Sequence, residues 1–494
     1  MYRLWTPSLP GIWRPQVHED CAHNLVRGLE LRTLGKTPSP EPTGINAFKR
    51  SMREISSVVK GRSGLVNASS LAEVVESYRG NRRLYARYTE AFNSLVADGY
   101  AHPRDARVKA FVKGEKLAKY KVFKPRVIMG RDPRYNLELA SYLRPIEHAF
   151  YAHFRGWGRQ FYTHTRLVGK GLDPGRRALL IKRKMMSNPG MVAMEIDGMS
   201  FESHFSVPIL KAEHSVYKSL NRSRRLAQLL DWQLEFDGRG GDVRFHAVGV
   251  RASGDYNTGL GNTLVMCGLV LMVAREVKTK FDFLADGDNA IIFVNRKDID
   301  TWTSRINPIC IRAGFEMALE QPVFHLEQVP FGQSKPLHVD GVGWTMIRNP
   351  MKVLSHAGCG YQHYKDLVGG VRVLKSVAYC EAVLNRGVPV LSKFASILLE
   401  LTRRVKFSKA ELSDFEYKAV LAKGTAWERA RTVEVSYQTR LGFETSWGIT
   451  VEQQLEMEAQ LKLPELPSEW CPSRYDPEVP NAATDKYLRY FGCL

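Results

Sequence analysis

Between positions 191 and 294 the apolar residues gather in short saturated runs rather than in helical stripes. Residues 191–196 read as a buried strand running into Asp197, and residues 281–285 and 290–294 are two further runs around Asp286-Gly-Asp-Asn289. Apolar arms around an Asp-Gly pair are the sequence form of a tight β-hairpin, whose tip would present Asp286, Asp288 and Asn289. Helical spacing dominates residues 46–100, the start of 135–190, 297–314 and most of 350–460. Strand-like runs around Gly238, Gly240 and Gly241 predict a hairpin within 232–250, and another is expected over 329–342. A Gly-rich loop over 251–262 passes into an apolar helix over 263–278. Residues 1–45 carry no period and end in a Pro-rich stretch, so an irregular arm is expected there. The prolines at 464, 467, 472, 477 and 480 predict a draped tail. Strands and helices so mixed imply an α+β chain.

Composition narrows the partners. The 494 residues allow two to four domains or one large enzyme with subdomains, and 44% hydrophobic with 25% charged residues is globular. The net charge of +20 calls for a polyanion, either nucleic acid or an anionic membrane surface. Between positions 101 and 135 stand eleven Lys and Arg against three acids, interleaved with Val108, Phe111, Val112, Val122, Phe123, Val127 and Ile128. That alternation predicts strands that pack on one side and offer cations on the other, a phosphate-binding surface rather than a solvated face. Seven scattered cysteines without a C-x-x-C pair exclude a disulfide framework and a zinc site. No secretory leader opens the chain, and its longest apolar run, 264–274, is too short to span a bilayer. Membrane association is therefore expected only through a surface patch or a partner.

The chemistry lies in the order of three features: a strand ending in Asp197, a Ser253-Gly-x-x-x-Thr258-x-x-x-Asn262 loop, and the Asp288 hairpin. A rigid turn carrying carboxylates suits a hard divalent cation, although Asp, Gly and Asn are also ordinary turn residues. In this order the three resemble the A, B and C motifs of viral RNA-dependent RNA polymerases, and further matches point to the tombusvirus-like group. Phe111-Val-Lys-Gly-Glu-Lys116, Lys124-Pro-Arg-Val-Ile128 and Pro133-Arg-Tyr-Asn136 resemble that group's basic F motif. Phe331-Gly-Gln-Ser-Lys-Pro336 with Met346-Ile-Arg-Asn349 is similar to its E region, and Trp447-Gly-Ile-Thr450 to a thumb signature. The likeness spans roughly residues 16–460.

The resemblance implies a right-hand polymerase with an antiparallel-sheet palm. Its parts would be an arm at 1–45, fingers at 46–190 with 215–250, a palm at 191–214 and 251–350, a thumb at 351–460 and a tail at 461–494. Asp197 and Asp288 would hold two Mg²⁺ or Mn²⁺ ions, with Asn289 beside them as a weaker, neutral ligand. Lys113, Lys116 and Arg126 would hold the triphosphate of the incoming NTP. Glu202, Ser253, Thr258 and Asn262 would form the ribose pocket. Lys124, Arg131 and Arg134 would lie on the path of template and nascent RNA. Genome replication would take place in the host cytoplasm at membrane-associated sites, anchored by a viral replication protein or an upstream fused region.

Two departures stand out. The usual Gly-Asp-Asp turn is Gly287-Asp288-Asn289, as in ambigui-type fungal virus polymerases, and Ala318 stands where a proton-donating lysine is expected, leaving His325 or Arg312 as substitutes. These departures motivate a rival reading, a catalytically impaired RNA-binding replication scaffold. Reverse transcriptase ranks low, since it lacks the Ser-Gly-x-x-x-Thr-x-x-x-Asn loop.

Overall fold

The computed structural model describes residues 2–118, 124–360, 367–407 and 427–464, together with Tyr417 and Val420. Lys119, Lys121, Val122 and Phe123 of the basic segment and residues 465–494 of the expected tail lie outside the described residues.

The chain is built around one helix, Thr258–Val277, whose residues from Leu260 to Ala274 are all buried. A helix apolar on every side can only sit inside a core. Here Pro42–Ser63, Val207–Leu220 and Ile299–Ile311 pack around it. Among the described residues it alone is long and apolar enough to cross a membrane, and it lies buried in the protein. It begins at Thr258, five residues before the expected start. The Thr258 hydroxyl donates back to the carbonyls of Ala252 and Asp255 (3.1 and 2.9 Å) and so closes the first turn. It ends at Lys278, in the left-handed region with φ 59°.

A four-stranded antiparallel sheet lies against this helix, in the order Phe281–Asp286, Asn289–Asn295, Met191–Gly198, Met317–Leu319. Phe281, Phe283, Ala285, Ala290, Ile292 and Val294 are buried in the core shared with the helix. Leu284, Ile291 and Phe293 face the other way, into a smaller core with Ala178, Ile181 and Met185 of helix Pro174–Met185. The runs are saturated because both faces are covered. Within that second face Lys184 and Asp282 form a fully buried ion pair at 2.6 Å.

A second sheet orders Val127–Gly130, Val108–Val112, Glu235–Gly240 and Val243–Val248, with a parallel junction between its two middle strands. Val108–Val112 alternates buried and exposed, with Lys109 outward as the charge pattern predicted, but Phe111, counted there with the packing residues, faces outward too. The hairpin expected at 329–342 is displaced: Ser334–Val339 pairs with Gly343–Arg348. A separate hydrophobic core joins it to helices Leu367–Leu384, Leu391–Leu401 and Tyr437–Trp447.

The N-terminal arm departs most from expectation. It forms helix Ala22–Gly28 and a π-helical turn, Leu29–Thr33. Tyr2–Arg3 pairs with Cys359–Gly360, and Leu25 and Leu29 are buried under the second sheet. Few, widely spaced apolar residues sufficed, because they dock in pairs, Leu4 and Leu9 into one core and Leu25 and Leu29 into another.

Candidate functional site

Three elements bring the motif residues to one end of the antiparallel sheet. Phe281–Asp286 and Asn289–Asn295 are joined by Gly287 and Asp288, and Gly287 takes φ 69°, the left-handed conformation of the first position in a II′-like hairpin turn. The buried Thr263 hydroxyl accepts the Gly287 N–H at 2.9 Å and fixes the turn to the long helix. On the neighbouring strand Asp197 stands in register with Asn289, and the Gly198 N–H donates to the Asp288 carbonyl at 3.0 Å. Asp197 and Asp288 are thus held on adjacent strand ends by backbone bonds.

Their electrostatics follow from that proximity. Desolvation in the cleft and then the Asp288 carboxylate push Asp197 up to about 6, while Arg126 opposes the rise. Asp288 is raised by burial and by Glu202, against Arg126 and Lys170. Glu195, two residues before Asp197, is pushed up to about 7 by burial, Asp197 and Glu320. At these carboxylates burial and mutual repulsion together outweigh the nearby cations. Among the described residues no group of three or more His, Cys, Asp and Glu side chains converges as a closed cage. Two carboxylates with open positions beside them fit Mg²⁺ or Mn²⁺, which keep water and phosphate oxygens as their other ligands.

Asp286 takes another part. Its carboxylate is held by Lys170 at 2.6 Å and by Arg177 at 3.4 Å, so it braces the hairpin from behind. Neither cation was singled out in the sequence, since nothing local ties residues 170 or 177 to the turn.

The loop before the long helix lies on the second sheet. Met129 N–H donates to the Ser253 carbonyl at 2.9 Å, and a Cβ on Gly254 would lie 2.4 Å from the Met129 carbonyl oxygen, so only glycine fits. Beneath the loop, Arg251 and Glu213 form a buried ion pair, and Asn257 donates to Glu213 Oε1 at 3.1 Å. On this base Asn262 Nδ2 donates to Glu202 Oε1 at 3.2 Å, and the buried Asn262 Oδ1 has no partner among the described residues. Thr258 holds the loop through its hydroxyl, as a structural clamp. Ser253 is half-buried and is bonded through its backbone carbonyl.

The expected cations divide sharply. Arg126 and Lys113 are 44% and 40% exposed, and both reach Glu115 Oε2, at 3.3 and 3.2 Å. Arg126 also acts on Asp197, Asp288 and Glu202 and therefore faces the carboxylates. Lys124 is exposed. Lys116 instead donates to the His356 carbonyl at 2.7 Å and ties the basic segment to helix Pro350–His356. Arg131 must be corrected: it is 2% exposed and ion-paired with Asp255, leaving no face for RNA. Arg134 is likewise absorbed by Asp105 at 3.2 Å, Ser94 and the Gly99 carbonyl. Charge in the sequence does not distinguish a buried ion pair from a free cation.

The strand after the hairpin places Ala318 in register with Asp197, on the side opposite Asn289. The substitutes considered for a proton donor do not reach it. Arg312 is paired with Glu276, near the far end of the long helix. His325 is exposed beyond Val323, which pairs with Ala193, and Ala193 lies about 13 Å along the strand from Asp197.

The family described as viral RNA dependent RNA polymerase matches residues 11–469. The RNA-directed RNA polymerase of turnip crinkle virus is 30% identical over 476 residues, covering 94% of this chain and 60% of its own length. That of carnation mottle virus is 31% identical, covering 90% and 58%, and that of tomato bushy stunt virus (strain Cherry) 29%, covering 92% and 55%. The chain thus spans little more than half the length of these relatives. With its motif residues gathered on one sheet end and the match running over most of its length, the chain belongs to the viral RNA-dependent RNA polymerase family, of the tombusvirus-like kind.

Proposed function

We propose that this chain copies viral RNA, joining NTPs to an RNA 3′-hydroxyl on an RNA template by a two-metal mechanism. The observation that carries the reading is the convergence of Asp197, Asp288, Arg126 and the Asn262–Glu202 pair on one cleft. The antiparallel sheet with the long helix would be the palm, the second sheet with the helices before residue 190 the fingers, and the helical core after residue 350 the thumb.

Asp197 and Asp288 would hold two divalent cations, which when bound activate the primer hydroxyl and neutralise charge building on the phosphoryl oxygens. Arg126, with Lys113, would orient the triphosphate through charge-assisted hydrogen bonds. The free Asn262 Oδ1 and the Glu202 carboxylate would accept from the ribose 2′-hydroxyl. Asn289, opposite Asp197, would add a neutral oxygen to the same group. These side chains position and compensate charge, and that is most of what phosphoryl transfer requires of a protein.

RNA template, nascent RNA and NTPs are the partners in this reading. Its setting is a membrane-associated replication site in the host cytoplasm, where a viral replication protein or a fused upstream region supplies the anchor. Primer extension by the purified chain on a primed homopolymer RNA, with Mg²⁺ or Mn²⁺, is the test. Templated incorporation supports the reading. Failure with both metals on every template would leave an RNA-binding scaffold instead.

A further inference from the structure

The N-terminal arm brings a cation to the cleft that the motif reading did not include. The π-helical turn Leu29–Thr33 packs against Phe201–His204, the turn that carries Glu202. One helix turn earlier the arm presses on the basic segment, where a Cβ on Gly28 would lie 2.8 Å from the Pro125 carbonyl oxygen. Between these contacts the Arg32 Nε–H donates to the Lys124 carbonyl at 3.2 Å. Arg32 is therefore fixed from both sides, between the Glu202 turn and the Lys124–Arg126 strand entry. Its guanidinium is half-buried, is disfavoured by Arg126, and is favoured by Glu115, Glu202 and Asp288.

A second observation concerns Glu115. Lys113 Nζ and Arg126 Nη1 converge on a single oxygen of that residue, Oε2, at 3.2 and 3.3 Å. Two cations aimed at one acidic oxygen form an anion site filled by the protein's own carboxylate. With Arg32 near Arg126, three cations gather around Glu115, whose carboxylate bridges Lys113 and Arg126, while Glu202 and Asp288 also favour Arg32 and Arg126. The like charges of the three cations repel one another, and an anion of higher charge joining them would relieve that repulsion. The existing bridges are easily displaced, because the Lys113 and Arg126 side chains are more than a third exposed and exposed pairs contribute about 1 kcal/mol or less. A solvated charge cluster is the competing account. It does not explain why a distant arm is held on both sides with its arginine bonded to Lys124, close enough to feel Arg126 and Glu115.

Building on the polymerase reading, we propose that Arg32 is a triphosphate-binding residue of the cleft and that Glu115 holds, in the free protein, the place a phosphate oxygen of the incoming nucleoside triphosphate takes. The arm then completes the NTP path rather than merely tethering the chain end. Arginine suits the role, since its planar fork can grip two oxygens at once.

The test uses the full chain and two readouts. In primer extension, Arg32→Ala should raise KM for NTP about tenfold while kcat changes less than about threefold and RNA affinity holds. Arg32→Lys should recover part of the loss, and Glu115→Gln should lower KM, because the internal competitor is gone. In a binding assay without turnover, a fluorescent ATP analogue displaced by tripolyphosphate should bind Arg32→Ala about tenfold more weakly. An unchanged KM together with unchanged analogue binding overturns the proposal. So does a loss confined to kcat and thermal stability, which would make the arm structural, or a loss confined to RNA affinity. A wild-type chain that extends no primer but whose analogue binding depends on Arg32 would keep this assignment and remove the polymerase reading.

Discussion

Asn262 donates to Glu202 across 3.2 Å, joining the second turn of the central helix to the turn that follows Asp197. The same amide keeps a buried oxygen without a partner among the described residues, and an unpaired buried acceptor is costly unless a ligand donor meets it. A site built to bond a hydroxyl rejects the analogue that lacks it. Asn262→Ala should therefore narrow the preference for NTP over dNTP by about tenfold or more, ~1.4 kcal/mol. The measurement is kcat/KM for matched NTP and dNTP pairs. Equal losses for both sugars would make Asn262 a structural amide only.

The basic segment supports two opposite expectations for residues five apart. Lys113, Lys124 and Arg126 are exposed or half-exposed, so replacing all three by Ala should flatten the slope of log K against log salt for single-stranded RNA. Arg131 is buried against Asp255, so Arg131→Ala should instead cost about 3–5 kcal/mol of stability by stranding the carboxylate. Titration of RNA binding over a salt series, with denaturant unfolding of each variant, separates the two effects. A salt slope changed by Arg131→Ala in folded protein would contradict its burial.

What the sequence disclosed and what it hid divide along locality. Asp197 and Asp288 were legible because each terminates a short apolar run, and strand pairing then brings run ends together. The Ser253 to Asn262 spacing was legible because one loop and the first two helical turns contain all of it. Lys170 and Arg32 were not, since each reaches the cleft through a tertiary contact with an element more than eighty residues away in sequence. Arg131 and Arg134 were misread because eleven cations spread over residues 101–135 reveal nothing about which of them meets Asp255 or Asp105. The helix began earlier than expected because Gly259 and Gly261 read as loop residues, whereas the buried Arg251–Glu213 pair packs where a side chain on Gly261 would stand.

That buried network also sets an acid limit on stability. His214 is fully buried beside Arg251 and Lys218, and desolvation followed by those cations holds it down to about 3 from the usual 6.5. The unfolded chain takes up this proton near pH 6.5 and the folded chain does not, so stability falls as pH drops below about 6.5. The contribution approaches ~1.4 kcal/mol per pH unit between the two values. Other groups add to the total, so the informative quantity is the difference from a variant. His214→Gln should flatten the dependence of unfolding free energy on pH between about 6.5 and 4.5. Parallel curves for wild type and variant would show that His214 is not held neutral.

The central turn carries an asymmetry that mutation can expose. Asp288 supplies a charge at the tip, while Asn289 lies opposite Asp197 in the strand register and faces the same way, because cross-strand partners share a sheet face. If Asp288 holds the metal ions, Asp288→Asn should reduce synthesis on the order of 10³-fold or more, ~4 kcal/mol of barrier. Asn289→Ala removes only a neutral oxygen and should cost less. Asn289→Asp adds a further carboxylate to a cleft where Asp197 is already pushed up to about 6, so in the absence of metal it should strengthen the repulsion further. With metal present the same carboxylate is a hard ligand, and the variant should stay active and shift relative activity towards Mg²⁺ over Mn²⁺. Primer extension at matched Mg²⁺ and Mn²⁺ concentrations measures all three. Comparable activity of Asp288→Asn and Asn289→Ala would mean that the metals are held elsewhere, and a metal preference unmoved by Asn289→Asp would place residue 289 outside their reach.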